Sequence, residues 1–209
     1  MRWPDSNNVC RCRLKAWLLL AAIALTSGCV NAPSEPEISL DPDRWHILGN
    51  ANWRQEDGIL SSNNPSGTGF LVSRATYRNF KLTLEFQPDA SVNAGILIRC
   101  EDPADIQPTN CYEINIWDNH PRQEFRTGAI VIHAAPPLVQ IDTVGGWHRY
   151  EIVAREKKIE VRLNGELTAV LEDAAIASGY LALQSANGRI SFRNLLIESL
   201  QRNKEPSAE

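Results

Sequence analysis

The chain has 209 residues, of which 43% are hydrophobic and 22% are charged, a composition typical of one globular domain with its own core. The formal net charge of -4 and the absence of a basic stripe argue against a protein that binds a phosphate backbone, so nucleic acid is not an expected partner. The sequence also lacks a Gly-rich phosphate loop, a Gly-x-Ser-x-Gly elbow and a His-x-x-x-His pair.

The amino terminus has the basic, apolar and small-residue regions of a secretory signal. An apolar run from Ala16 to Leu25 is followed by Thr26-Ser27-Gly28 and then by Cys29. Small residues directly before a cysteine resemble the lipobox of bacterial lipoproteins, in which that cysteine is lipidated. The alternative is an ordinary cleavage site in which Cys29 has no role.

The lipobox interpretation predicts a signal peptide over residues 1–28 and a Pro-rich tether over residues 29–43. It also predicts an exported lipoprotein, periplasmic or on the cell surface and held at the outer membrane, that touches the membrane through its lipid anchor only. The folded domain is expected over residues 44–201, with a disordered tail over residues 202–209.

Short alternating runs separated by Gly, Asn, Asp and Pro turns predict an all-β domain with almost no helix. Asn164-Gly165 is a strong hairpin signal, and Asp57-Gly58 and Asn187-Gly188 are weaker ones. We expect a jelly-roll sandwich of two antiparallel sheets. The predicted strands are Trp53–Leu60, Gly69–Ser73, Phe80–Phe86, Gly95–Arg99, Tyr112–Trp117, Gly128–His133, Trp147–Arg155, Ile159–Leu163, Leu167–Leu171, Gly179–Gln184 and Ile190–Glu198.

Cys100 and Cys111 are the cysteines that remain in the predicted folded domain, at the end of one predicted strand and the start of the next. Export to an oxidising compartment makes them a predicted disulfide. Such a bridge would close the loop from Glu101 to Asn110 and position the neighbouring Arg99, Tyr112 and Glu113.

The strand after Cys111 carries the clearest functional pattern. Strict alternation places Glu113, Asn115 and Trp117 on one face and Tyr112, Ile114 and Ile116 on the other. A carboxylate, an amide and an indole on one rigid sheet face suit a carbohydrate, since aromatic rings stack on pyranose rings and polar groups bind their hydroxyls. The alternative is a solvated outer sheet face.

The same alternation, applied to three neighbouring runs, predicts further groups on the face of Glu113, provided that these strands share one sheet. Small and aliphatic residues between the polar groups would suit a shallow cleft better than bulk water. The polar members are Glu85, Arg99, Glu113, Asn115, Trp117 and His133, and the small or aliphatic members are Leu97, Ala129 and Val131.

An ordered set of short motifs from Trp45 to Leu200 resembles the 3-keto-disaccharide hydrolase domain family. The motifs include Asp57-Gly-Ile-Leu60, Tyr77-Arg-Asn-Phe80, Gly95-Ile-Leu-Ile-Arg99, Tyr112-Glu-Ile-Asn115, Thr127-Gly-Ala-Ile130, Leu163-Asn-Gly165 and Phe192-Arg-Asn194. The resemblance implies a concanavalin-like jelly roll that cleaves glucosides oxidised at C3, by elimination and then hydration. It also implies an upstream sugar 3-dehydrogenase that supplies the substrate.

The resemblance assigns roles to matching positions. It implies a base or acid at Glu113 and charge stabilisation at Arg99, with His133 as a further catalytic candidate. No cofactor is certain, and a divalent metal is left open. The remaining expected sugar contacts are Glu85, Asn115, Trp117, Asp118 and Gln184.

Two other functions and a structural role stay open. The spacing of Glu113, Asn115 and Asp118 is similar to the carboxylate strand of retaining glycosidases on sandwich folds. Many members of the family carry Gln-x-His-Gly near the penultimate strand, whereas residues 184–188 of this chain have no histidine. That loss favours a lectin-like binding module without catalysis. A lipoprotein whose sandwich binds protein partners is the structural alternative.

Overall fold

A computed structural model describes residue 41 and residues 43–133 and 141–201. The predicted signal peptide, the lipidated Cys29, nearly all of the tether and the tail over residues 202–209 lie outside the described residues and remain predictions. No helix in the described ranges is long and apolar enough to cross a membrane.

The described part of the chain consists of ten β-strands and one short 3₁₀ turn at Gln123–Phe125, and it contains no α-helix. All pairings between the strands are antiparallel. The strands are β1 Trp45–Gly49, β2 Trp53–Glu56, β3 Ile59–Tyr77, β4 Phe80–Pro88, β5 Asn93–Cys100, β6 Tyr112–Ile116, β7 His148–Arg155, β8 Lys158–Leu163, β9 Glu166–Leu171 and β10 Gly179–Ser199.

Two long strands, β3 and β10, pair with each other along most of their length and are shared by two layers. In the first layer, here called the front sheet, residues 68–77 of β3 and residues 179–186 of β10 lie between β1 on one side and β5 and β6 on the other. In the second layer, the back sheet, residues 60–64 and 188–199 of the same strands lie between β2 and the β4, β7, β8 and β9 series.

The main hydrophobic core joins inward residues of both sheets, as expected for a two-layer sandwich. The front sheet contributes Ile96, Ile114 and Leu183, and the back sheet contributes Leu84 and Phe192, among others. The predicted concanavalin-like jelly roll is therefore confirmed.

Two predicted turns are confirmed and one is wrong. Asp57-Gly58 and Asn164-Gly165 both have positive φ at their two central residues and connect paired strands, which is the type I′ pattern. Asn187 also has a positive φ, of 54°, but β10 continues through it. The pairing register shifts there, so this residue forms a β-bulge inside one strand instead of joining two.

The predicted strand Gly128–His133 is also corrected. Residues 128–131 bond to the backbone of β6, including Val131 N–H to Glu113 O at 2.9 Å, but they form only an isolated bridge. The chain then turns sharply, because Ile132 has a φ of 58° and His133 N–H bonds back to Ile130 O. Ala129 and Val131 nevertheless lie beside Asn115 and Glu113, as predicted.

The outer face of the front sheet carries a second, smaller hydrophobic cluster, made of Val72, Leu97, Cys100, Ile106, Cys111 and Ala182. The predicted disulfide between Cys100 and Cys111 is present and closes the loop over residues 101–110. Ile106 of that loop is buried in the cluster, so the loop folds over part of the sheet. His46 Nε2 on β1 lies 3.2 Å from Pro103 O and fixes the far side of the loop.

Replacing both Cys100 and Cys111 by serine should lower the free energy of unfolding by about 2 to 3 kcal/mol, because the short closed loop regains its entropy in the unfolded chain. Urea unfolding of the two proteins measures the difference. A reducing agent should reproduce the loss in the wild type and leave the double variant unchanged. Equal unfolding midpoints under oxidising conditions would contradict the stabilising role of the bridge.

Candidate functional site

Glu113 lies in a row of side chains that crosses the outer face of the front sheet. Strand pairing places Leu97 on one side of it, and Val131 lies on the other side. This row, here called the Glu113 row, consists of His46, Val72, Ala182, Leu97, Glu113 and Val131. Beside it runs a Gly95 row, which is Leu48, Phe70, Gln184, Gly95, Asn115 and Ala129.

Gly95 forms the floor of the site because two larger polar side chains lean over its backbone. A β-carbon at this position would lie 3.1 Å from Glu113 Oε1 and 3.3 Å from Gln184 Oε1. The carboxyl and amide oxygens thus converge above the Gly95 backbone. Gln184 Oε1 is buried and has no hydrogen-bond partner within the described part of the chain. Two acceptors that converge in this way fit a ligand that supplies hydroxyl donors.

The Glu113 side chain is largely buried, and no described residue compensates its charge. Its residue is only 6% exposed, and no hydrogen bond or ion pair joins its side chain to another described residue. Burial between apolar neighbours disfavours the charged form, which raises the pKa of Glu113 from the ordinary 4.5 to about 7. A carboxyl with that pKa exchanges protons at neutral pH, as a general base or acid must.

Arg99 does not join this site, and the prediction that it faces the same side as Glu113 is wrong. Its φ of 53° and the shift in pairing between β5 and β10 mark a β-bulge, which breaks the alternation after Ile98. The fully buried guanidinium donates to the backbone carbonyls of Arg78, Glu156 and Ile176, at 2.6 to 3.1 Å. These contacts hold together three segments that connect strands, so Arg99 has a structural role.

Glu85 lies on the other layer, so its predicted place beside Glu113 is also wrong. It projects from β4 of the back sheet, where Arg193 of β10 is its partner in register. Arg193 Nε lies 2.6 Å from Glu85 Oε2, and this hydrogen bond lowers the pKa of Glu85. The Arg193 guanidinium also stacks on the ring of Trp147, 4.0 Å from its centroid.

His133 follows the turn at Ile132, which ends the segment over residues 128–131. Its ring packs edge-on against Tyr112, with 4.9 Å between ring centroids, and its Nε2 lies 2.8 Å from Pro108 O. Since Tyr112 belongs to the inward side of β6, the structure does not bring His133 onto the face of Glu113.

Asn115, Trp117 and Asp118 lie at or past the end of β6 and organise the loop that follows. The Asn115 amide donates to Phe125 O, and the Trp117 ring packs edge-on against His120 at 4.4 Å. The Asp118 carboxylate accepts bonds from the Thr127 hydroxyl and from the backbone and hydroxyl of Thr143. Both Asp118 oxygens are thus occupied in holding the loop.

Two residues of the outer face were not predicted from the sequence. Phe70 and Leu48 continue the Gly95 row beyond Gln184 as partly buried apolar side chains. The alternation of Phe70 and Val72 against Leu71 and Ser73 is the signal that could have placed Phe70 on the outer face.

A metal centre is not visible in the ranges that the structure describes. No group of three or more His, Cys, Asp or Glu side chains is arranged there to hold an ion.

Replacing Glu113 by Gln should change how stability depends on pH. Because the pKa of Glu113 is raised in the folded state, the folded protein keeps a proton between pH 4.5 and 7 that the unfolded chain has lost, so its stability falls as the pH rises through this window. From pH 5 to pH 8 the variant should gain about 2 to 3 kcal/mol of unfolding free energy relative to the wild type. Urea unfolding at both pH values checks this, and parallel pH profiles would contradict the buried, unpaired state.

Comparison with known proteins identifies the family. The model of the 3-keto-alpha-glucoside-1,2-lyase-like domain matches residues 39–198, whereas no curated protein sequence matches the chain. A solved structure of a candidate glycosyl hydrolase from Parabacteroides distasonis ATCC 8503 is 24% identical, with a TM-score of 0.63, over 75% of this chain and 100% of that one.

Two further solved structures share the fold. The carbohydrate-binding module CBM66 from Bacillus subtilis is 17% identical, with a TM-score of 0.59, over 75% of this chain and 98% of that one. A Bacillus licheniformis beta-glucanase is 14% identical, with a TM-score of 0.58, over 80% of this chain and 97% of that one. The chain is a carbohydrate-active protein of sandwich fold, and it belongs to the 3-keto-alpha-glucoside-1,2-lyase-like domain family.

Proposed function

We propose that this protein cleaves the glycosidic bond of 3-keto-α-glucosides by elimination and hydration, with Glu113 as the base. The observation that carries the proposal is the largely buried Glu113 carboxyl, which has no partner among the described residues and whose pKa of about 7 suits proton transfer at neutral pH. The family match supplies the class of substrate.

The chemistry requires one base next to C2 of the sugar. A ketone at C3 acidifies the C2 hydrogen, so the ionised Glu113 carboxylate takes that proton and leaves an enediolate. The electron pair then forms the C1–C2 double bond, the C1–O bond breaks, and the departing oxygen takes up a proton from the protonated Glu113, which returns to its carboxylate form. Water adds across the double bond, so that the overall reaction is a hydrolysis that returns a 3-keto sugar.

Gln184 and Gly95 position the ring. The carboxyl and the amide lean over Gly95 because it has no side chain, so a sugar on this face would meet both oxygens together. The Gln184 oxygen then accepts a bond from a sugar hydroxyl, which is an energetic gain because no described residue offers this buried acceptor a donor. This bond would hold C2 of the ring toward Glu113.

The two-carboxylate glycosidase is less well supported. Both oxygens of Asp118 accept bonds from Thr127 and Thr143, so its carboxylate is committed to the loop. A binding module without catalysis is the second candidate. It is favoured by the missing histidine in residues 184–188, but a pure binding site would have no need for a carboxyl whose pKa burial raises to about 7.

Replacing Glu113 by Gln should reduce turnover of a 3-keto-α-glucoside by roughly 100- to 10,000-fold, the usual contribution of a general base. The matched control is Glu85→Gln, a carboxyl-to-amide change on the back sheet, which should leave turnover nearly unchanged. In the wild type, kcat/KM should rise with pH through about 7, because only ionised Glu113 accepts a proton.

A substrate deuterated at C2 distinguishes the mechanisms in the same assay. A slower reaction of the deuterated substrate would support proton removal from C2. Cleavage of the unoxidised glucoside at a similar rate would instead favour a glycosidase, and binding without cleavage of either sugar would favour the binding module.

A further inference from the structure

The Gly95 row continues past the proposed catalytic floor onto an apolar surface. Phe70 on β3 is paired with Gln184, and Leu48 on β1 is paired with Phe70. Both side chains are partly exposed, and both pack against the outer hydrophobic cluster. The row therefore changes along its length from hydrogen-bonding groups to an aromatic and an aliphatic side chain.

The spacing of the row matches a sugar that extends beyond one ring. Neighbouring strands lie about 4.8 Å apart, so Phe70, two strands from Gly95, lies roughly 10 Å from it across the sheet. That distance is on the scale of a disaccharide. A ring placed over Gly95 would thus bring the group bonded to its C1 within reach of the Phe70 ring.

The apolar end of the row is held rigidly, as a recognition surface requires. The cluster beneath Phe70 and Leu48 includes both half-cystines of the Cys100–Cys111 bridge and Ile106 from the loop that the bridge closes. The same loop is joined to β1 through His46 and Pro103. The position of the Phe70 ring relative to Gln184 is therefore fixed by packing on several strands.

We propose that Phe70 and Leu48 form a leaving-group subsite, which receives the sugar or aromatic aglycone attached to C1 while the keto ring lies over Gly95. An aromatic face next to polar groups is suited to the C–H face of a pyranose or to an aryl ring. The inference rests on the proposed function for the identity of the keto ring, and it sets the size of substrate that the site prefers.

The test compares a 3-keto-maltose substrate with methyl 3-keto-α-glucoside, whose leaving group is too small to reach Phe70. Phe70→Ala should lower kcat/KM for the disaccharide by about 10-fold and leave that for the methyl glucoside within about 3-fold. Leu48→Ala should have the same selective effect, smaller in size. Ile47→Ala is the matched control, since Ile47 is an exposed neighbour with the opposite place in the alternation of β1.

Equal losses on both substrates, or no loss on either, would overturn the subsite. Phe70→Leu, which keeps most of the apolar volume, replaces Phe70→Ala if the alanine variant unfolds, and it should retain the selective loss. If the wild type cleaves neither keto sugar, that result contradicts the proposed function but leaves the subsite to a separate experiment. Calorimetric titration with maltose then decides the subsite: weaker binding to the Phe70 variant supports it, and equal binding or none refutes it.

Discussion

The desolvation of one carboxyl group underlies the whole site. Glu113 is buried on the outer face of a sheet between Leu97 and Val131, and no described residue offers its side chain a hydrogen bond or a positive charge. This arrangement costs stability at neutral pH, because the charged form is poorly solvated.

The loop closed by the disulfide helps to keep the Glu113 carboxyl away from bulk water. The Cys100–Cys111 bridge closes a loop whose Ile106 covers part of the outer face, and His46 and His133 contact backbone carbonyls at Pro103 and Pro108 of the same loop. This loop does not cover the neighbouring Gly95 row, where we place the ligand. One edge of the sheet face is thus apolar and covered, and the next row presents Gln184, Gly95 and Phe70.

Strand alternation predicted much of this and failed for definable reasons. It placed Glu113 correctly, because β6 is regular and its other side packs into the core. It failed at Arg99, where a single residue with a φ of 53° reverses the direction of the side chain. It failed at Glu85, because alternation gives the side of a strand and not its sheet. Phe70 was overlooked because a partly buried aromatic in a short apolar run is usually read as core.

A measurement of the pKa of Glu113 would test its role as the base most directly. Carbon-13 NMR of protein labelled at the glutamate side-chain carboxyl carbons, with Glu113→Gln to assign the signal, would follow this group through the pH range. The burial of Glu113 should give a midpoint near 7, well above the ordinary value of 4.5. A midpoint near 4.5 would show that the carboxyl is solvated or paired, and would remove the physical basis for its role as the base.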